Sequence, residues 1–354
     1  MNAPFPLSAE SISLVQLRDP GEFARIESFV SEMGGTPFHR PAWLRAVETS
    51  TGQRATGLVA EKCGNVTGWL PLSEVHSPLF GRALVSSGFG VGGGALASSA
   101  KTVVQLCRSV EELAIRKSCP TIELRGGDAP RDWHHCDDSH AGFVTDLAED
   151  DEQQLLAIPR KQRAEIRKSL KLDLEVSVGG GEEDRAAHYA VYAESVRNLG
   201  TPVFPRALFD AMLDEFGADA DILTVRHEGV PVASVLSFYH DGAVMPYWGG
   251  GTFAARHLRA NERMYFELML HARRRGMQRF DFGRSKTGSG PYNYKKNWGF
   301  EPQPLSYASW TAPGHAKRDI NPNSEAYSAK IDLWKRLPLK VANIIGPVIA
   351  KGLA

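Results

Sequence analysis

The sequence predicts a mixed α/β protein of the layered α+β kind, made of two copies of one unit and ending in a basic amphipathic tail. Two observations carry this. First, two segments read as the same β-hairpin. "GLVAEKCGNVTGWLPLSEVH" (57–76) turns at Gly64 and Asn65, and "ILTVRHEGVPVASVLSFYHD" (222–241) turns at Gly229. Glycine beside polar residues between β-rich runs is what a hairpin turn requires. Second, a helix and then a strand follow each hairpin.

In the first copy, Val103, Leu106, Cys107, Val110, Leu113 and Ala114 recur at helical spacing, with Ser98 or Ser99 as cap, before the strand "TIELR". In the second, Asn261 is the candidate cap, Gly276 the stop, and "RFDFG" the strand. The same order recurs about 160 residues later, which predicts an internal duplication. The expected domains are residues 1–150, 151–315, and a polar linker with tail from 316 to 354.

Composition narrows the function classes. The chain has 354 residues and zero formal net charge, so it has no overall affinity for polyanions, and any anion site must come from local clustering. The cysteines, Cys63, Cys107, Cys119 and Cys136, form no CxxC, which argues against a disulfide framework or a thiolate zinc site. "WHHCDDSH" (133–140) holds metal-ligand types at no zinc spacing and reads as a polar loop, so no metal is expected. The N-terminus lacks the pattern of a signal peptide, and no apolar run approaches the ~20 residues of a membrane span. A cytoplasmic location is the expectation.

Two segments concentrate charge. "FDFGRSKTGSGPYNYKKNWGFEPQP" (280–304) starts as a strand. It then becomes a loop that mixes Arg284, Lys286, Lys295 and Lys296 with Tyr292, Tyr294 and Trp298. Gly283, Gly288 and Gly290 would let backbone N–H groups approach an anion, and sites past strand ends are common in open sheets. The alternative is a solvated loop. Asp281, on the preceding strand, is a candidate base or a structural acceptor. The second segment begins at Pro159 and reads as a helix carrying Arg160, Lys161, Arg163, Arg167, Lys168 and Lys171 against the single acid Glu165. Arg163 and Arg167 are its best candidates for contacting phosphates, and a solvated face is the alternative.

Together these segments support a resemblance. The duplicated unit looks like a tandem acyltransferase fold of the GNAT type. "IPRKQRAEIRKSLK", "SVRNLGTPVFPRALFDAMLDEFG", "FDFGRSKTGSGPYNYKKNWGF" and "LWKRLPLKVANIIGPVIAKGL" resemble the FemAB family of aminoacyl-tRNA-dependent transferases. The likeness is greatest to the FemAB-related proteins associated with PEP-CTERM/exosortase systems and exopolysaccharide production. It implies transfer of an aminoacyl or related acyl group from an activated donor, aminoacyl-tRNA in the family, to an amine of a cell-envelope or exopolysaccharide precursor. It also implies that Lys295 and Lys296, which follow an aromatic residue, contact donor or phosphate.

Ordinary coenzyme A enzymes of this fold place a glycine-rich turn before the helix of the second copy, where N–H groups hold the pyrophosphate. Here that approach reads Arg256-His257-Leu258-Arg259-Ala260-Asn261, with 249–251 as the preceding glycines. The turn speaks against coenzyme A, and no cofactor is expected. A coenzyme A-dependent N-acyltransferase and a non-catalytic scaffold remain the alternatives. Tyr247 and Trp248 either line the acceptor groove or pack a half-buried strand. Arg273, Arg274 and Arg275 suit the last turn of a helix.

In the tail, Ile331, Trp334, Leu337, Val341, Ile344, Ile345, Val348 and Ile349 supply apolar surface. Lys330, Lys335, Arg336, Lys340 and Lys351 supply charge against Asp332. Pro338 and Pro347 are expected to break it into two short pieces. The tail either docks on the body or lies on an anionic bilayer at the inner face of the membrane.

Overall fold

Parallel strands cannot be joined by a tight turn and need a crossover, usually a helix. That rule organises both halves of the chain. The computed structural model describes residues 9–78, 80–316 and 325–353. Along the first part run β1 (Ser11–Leu14), α1 (Pro20–Glu32), α2 (Pro41–Thr51), β2 (Arg54–Lys62), β3 (Asn65–Ser77), β4 (Gly81–Ser86), β5 (Leu96–Ala97), α3 (Ala100–Arg116), β6 (Thr121–Arg125) and β7 (His134–Cys136). Then follow β8 (His140–Asp146), α4 (Asp151–Ala157), α5 (Arg160–Ser169), β9 (Glu175–Gly179), α6 (Glu182–Leu199), α7 (Arg206–Phe216), β10 (Ala220–His227), β11 (Val230–His240) and β12 (Ala243–Gly251). The last are α8 (Ala255–Leu258), α9 (Ala260–Arg274), β13 (Arg279–Asp281), β14 (Ser285–Lys286), α10 (Gly290–Asn297), β15 (Pro302–Pro304), β16 (Tyr307–Thr311), α11 (Glu325–Arg336) and α12 (Leu339–Ala350).

The duplication is visible in the connections. In the first sheet, ordered β1-β2-β3-β4-β6-β16-β7, the parallel pair is β4 with β6, and α3 makes the crossover. In the second, ordered β14-β8-β13-β12-β11-β10-β9, the parallel pair is β12 with β13, and α9 makes the crossover. Both expected hairpins form on two-residue turns with both residues left-handed: Cys63 (φ 52°) with Gly64 (φ 81°), and Glu228 (φ 51°) with Gly229 (φ 74°). These are the type I′ dihedral signs that suit strand twist. The first turn is Cys63-Gly64 rather than Gly64-Asn65, because Asn65 already pairs with Lys62. Ser99 caps α3, accepting from the Thr102 N–H.

The domain boundaries differ from those expected. One unit comprises the described residues up to Cys136 with 306–316 and 352–353, and the other comprises 137–305 with 325–351. The break falls before β8 because β8 pairs with β13 in the second sheet. Likewise β16 belongs to the first sheet, pairing with β6. Each of these strands covers an edge that would otherwise leave a row of N–H and C=O groups unpaired. The segment "WHHCDDSH" holds β7, three linking residues and the first residue of β8, so it is a strand connection rather than one loop. Among the described residues no group of three or more His, Cys, Asp or Glu side chains could hold a metal ion.

The second unit builds its core on both faces of its sheet. α9 covers one face with Met264, Leu268 and Met269, against Val235, Val244 and Phe280. The other face carries α6, α7 and the aromatic group Tyr192, Phe209, Phe238 and Trp248. Arg273 and Arg275 do more than complement the helix dipole. Arg273 bonds the Glu149 carbonyl, and Arg275 joins Tyr239 and His271 around the buried Asp221 carboxylate.

The tail docks on the second unit. α11 and α12 pack against α6, with Ala342, Gly346 and Ala350 buried. The break comes at Pro338 alone, since Pro347 lies inside α12. The Lys330 side chain and residues 317–324 lie outside the described residues.

His188 of α6 is fully buried. Its Nδ1 lies 3.1 Å from Ser234 Oγ, which is 3.1 Å from Thr224 Oγ1. Burial pushes this imidazole down to about 3 from 6.5. The unfolded histidine takes up a proton below about 6.5 and the folded one does not, so stability falls with falling pH across that window. Between pH 7 and pH 5 this group is expected to cost about 2 kcal/mol. Denaturant melts of the parent and His188→Leu check it: the variant should lose that part of the slope, and parallel pH profiles would refute the assignment.

Candidate functional site

β12 and β13 pair at only two positions, Ala243 with Arg279 and Val244 with Phe280, and then part. Where they part, the chain assembles most of the candidate residues. Phe282 follows β13 and packs on Tyr265 of α9, ring centroids 4.7 Å apart. Gly283 (φ 70°) turns the chain into β14, which pairs with β8. The expected loop is thus largely ordered structure. Its glycines do not form a cradle: Gly283 and Gly288 are turn residues, and Gly290 opens α10, whose cap is Ser289 accepting from Tyr292 N–H.

Lys295 is not the solvated point charge that its sequence context suggests. It lies on α10, is 9% exposed, and points its ammonium inward. Nζ donates to the carbonyls of Gly283 (3.1 Å) and Arg284 (2.9 Å) and stands 5.4 Å from the ring centroids of both Phe143 and Phe282. Burial brings it down to about 8, opposed by the Asp281 carboxylate. Burial likewise pushes Asp281 up, opposed by the Gly283 N–H at 2.8 Å and by Lys295. An ammonium has three N–H donors and two are used here. Lys296, the next residue, is exposed, with Nζ 5.9 Å from the Tyr292 ring centroid.

Around this pair stand Tyr292, packed on Phe143 at 5.3 Å, and Tyr294, between Tyr265 and Trp298. The Tyr294 hydroxyl and the Trp298 indole N–H are buried, and among the described residues neither has a well-formed hydrogen bond. Arg284 and Lys286 are half-buried at the turn and on β14. The end of α10 abuts the start of α5: a Cβ on Gly299 would stand 3.1 Å from the Pro159 ring.

From there α5, with Lys171 just beyond it, presents Arg160, Arg163, Ala164, Arg167, Lys168 and Lys171 along one groove of about 400 Å³. Lys168 pairs with Glu165, while Arg160, Arg163, Arg167 and Lys171 make no ion pair among the described residues. The groove and the Lys295 cluster therefore lie on neighbouring elements of one unit.

Tyr247 and Trp248 do not join them. The register slips between Leu236 and Ser237, leaving Tyr247 as a bulge residue on β12. Its ring stands 4.6 Å from Trp248, and Trp248 packs on Phe209 and Phe238. That is the α6–α7 face, so Trp248 is a core residue rather than part of a groove.

Sequence reasoning missed Glu262. α9 starts after Arg259, which stands in the left-handed region (φ 54°, ψ 34°) where glycine is favoured, and Asn261 lies inside the helix instead of capping it. The Arg259 guanidinium is tied to Glu165 and to the Arg256 carbonyl. Glu262 occupies the first turn, where a carboxylate meets the positive end of the helix. Burial raises it, while its own backbone N–H and Gln162 counter the shift. An acid three residues into a helix was the available signal.

The comparisons accord with this architecture. Residues 160–296 match the Acetyltransferase (GNAT) domain family. No curated protein matches the sequence significantly. The fold is similar to that of FemX at 14% identity, with 84% of this chain and 96% of that one aligned and a TM-score of 0.65. It is also similar to a tandem GNAT protein from the clavulanic acid biosynthesis pathway (12%, 87% and 100%, TM-score 0.57). A third is the C-terminal domain of an Agrobacterium fabrum protein described as a lysylphosphatidylglycerol synthetase (12%, 81% and 91%, TM-score 0.56). Residues 160–296 thus resemble a GNAT domain, and the fold is that of two tandem GNAT-like units.

Replacing Lys295 by alanine leaves two inward carbonyls without a donor and is expected to cost about 1–3 kcal/mol. Lys296→Ala should stay within about 0.5 kcal/mol of the parent. Urea melts decide this, and equal midpoints for the two variants would show that Lys295 has no structural part.

Proposed function

We propose that the protein is an acyltransferase of FemAB type that uses an aminoacyl donor carried on RNA. One observation carries the choice of donor. The N-terminus of α9, where coenzyme A enzymes of this fold would seat the pyrophosphate, already holds the Glu262 carboxylate. Arg259 fills the turn, and its charge is committed to Glu165. A pyrophosphate there would meet a carboxylate instead of free N–H groups. Arg160, Arg163, Arg167 and Lys171, which make no ion pair among the described residues, line one groove beside α5 instead, where phosphates could meet them.

In this reading Arg163 and Arg167 hold the donor's phosphates. The acceptor amine attacks the donor ester, a C–N bond forms, the C–O bond to the ribose breaks, and the proton lost by the amine passes to the departing ribose oxygen. Negative charge builds on the carbonyl oxygen as the amine adds, and the third N–H of Lys295 is the donor suited to it. Asp281 acts through Lys295, favouring its ammonium form. Arg284, Lys286, Lys296, Tyr292 and Tyr294 border the space around that reaction. The acceptor is proposed to be an amine of an envelope or exopolysaccharide precursor. This choice, like the link to PEP-CTERM systems, rests on sequence resemblance.

Fluorescence anisotropy with an RNA acceptor-stem minihelix, beside calorimetry with coenzyme A, tests the donor. The minihelix should bind with affinity that falls as salt rises, and Arg163→Ala or Arg167→Ala should each lower the salt slope by about 1. Tight coenzyme A binding without minihelix binding would replace this reading with the coenzyme A-dependent one. Binding of neither would favour a scaffold. With an acceptor in hand, transfer should decline as pH rises through about 8, where Lys295 loses its proton.

A further inference from the structure

α12 is amphipathic in an inverted sense. The side it turns to α6 is made of small residues, Ala342, Gly346 and Ala350. A Cβ on Gly346 would crowd its neighbour, standing 3.0 Å from the Val203 backbone nitrogen. The opposite side carries Val341, Ile344, Ile345 and Val348, spaced i, i+3, i+4 and i+7. They are 37%, 74%, 42% and 75% exposed. Single exposed aliphatic residues need no explanation, but a continuous stripe of four on one helix does.

We propose that this stripe is a seat on an anionic lipid surface. Charge selects that occupant over a second copy of the chain. Lys340 and Lys351, at the two ends of α12, fall on the same edge of the stripe, and Lys335 and Arg336 close the preceding helix. Among the described residues Arg336 and Lys340 make no ion pair, and the acid described nearby, Asp332, is 3.6 Å from Lys335. Two copies meeting through this face would bring cation against cation. A bilayer with anionic headgroups offers acyl chains to the stripe and opposite charge to its rim. The helix has 12 residues, about 18 Å, so it lies in the interface and does not cross. Docking on the body and lying on a membrane are thus compatible, one on each side of α12. The inference holds whatever group the enzyme transfers.

Flotation of the full chain with vesicles of phosphatidylcholine containing one-third phosphatidylglycerol tests it, beside pure phosphatidylcholine. The parent should float with the anionic vesicles and at least tenfold less with the neutral ones. Ile344→Asp with Val348→Asp should abolish flotation while the thermal melt stays that of the parent. Lys340→Glu, which spares the stripe, should weaken binding about fivefold or more, the factor equivalent to ~1 kcal/mol per cation. A parent that stays unbound at low salt, or variants that float as it does, would overturn the proposal. So would a dimer in sedimentation that Ile344→Asp converts to monomer.

Discussion

The constraint on which the second unit depends is the two-residue parallel contact between β12 and β13. Being parallel, it demands a crossover, which α9 supplies. Being short, it lets the strands diverge, and the divergence must be filled. Phe282, Tyr265, Tyr294 and Trp298 fill it with edge-to-face aromatic contacts. The first unit repeats the connection through α3, but its pair is longer: Ala83, Leu84 and Val85 face Thr121, Ile122 and Glu123. The candidate chemistry lies where the parallel contact is shortest.

Filling such a gap buries polar groups, and the two charged ones, Lys295 and Asp281, are answered locally. The Lys295 ammonium meets two carbonyls and a carboxylate, and Asp281 meets a backbone N–H and that ammonium. Both are displaced toward their neutral forms by burial and back toward their charged forms by each other. Such a pair responds to anything that alters its surroundings, which suits a site whose substrate brings charge with it. Glu262 is answered by its own helix N-terminus, and Arg259, at a left-handed position, by Glu165 on α5. The same ion pair that supports an unfavourable backbone thereby joins the basic helix to the start of α9.

Much of this was legible from residue order. The hairpins, α3, α9 and the tail helices follow from periodicity and turn residues, which act over a few positions, so the sequence alone determines them. Arg163 and Arg167 could be placed on one helix face for the same reason. Tertiary structure decided the rest. β8 and β16 were assigned by which sheet edge remained open, a pairing between residues far apart that no local pattern encodes. Lys295 and Lys296 are adjacent and chemically identical, yet one is buried and one exposed, because a helix turns successive residues about 100° and only one faces Phe143 and Phe282. Trp248 went to the core because a bulge at Tyr247 fixed its face. In α12 the pattern marks an apolar helix, but only packing against α6 shows that the small residues face inward and the large ones outward.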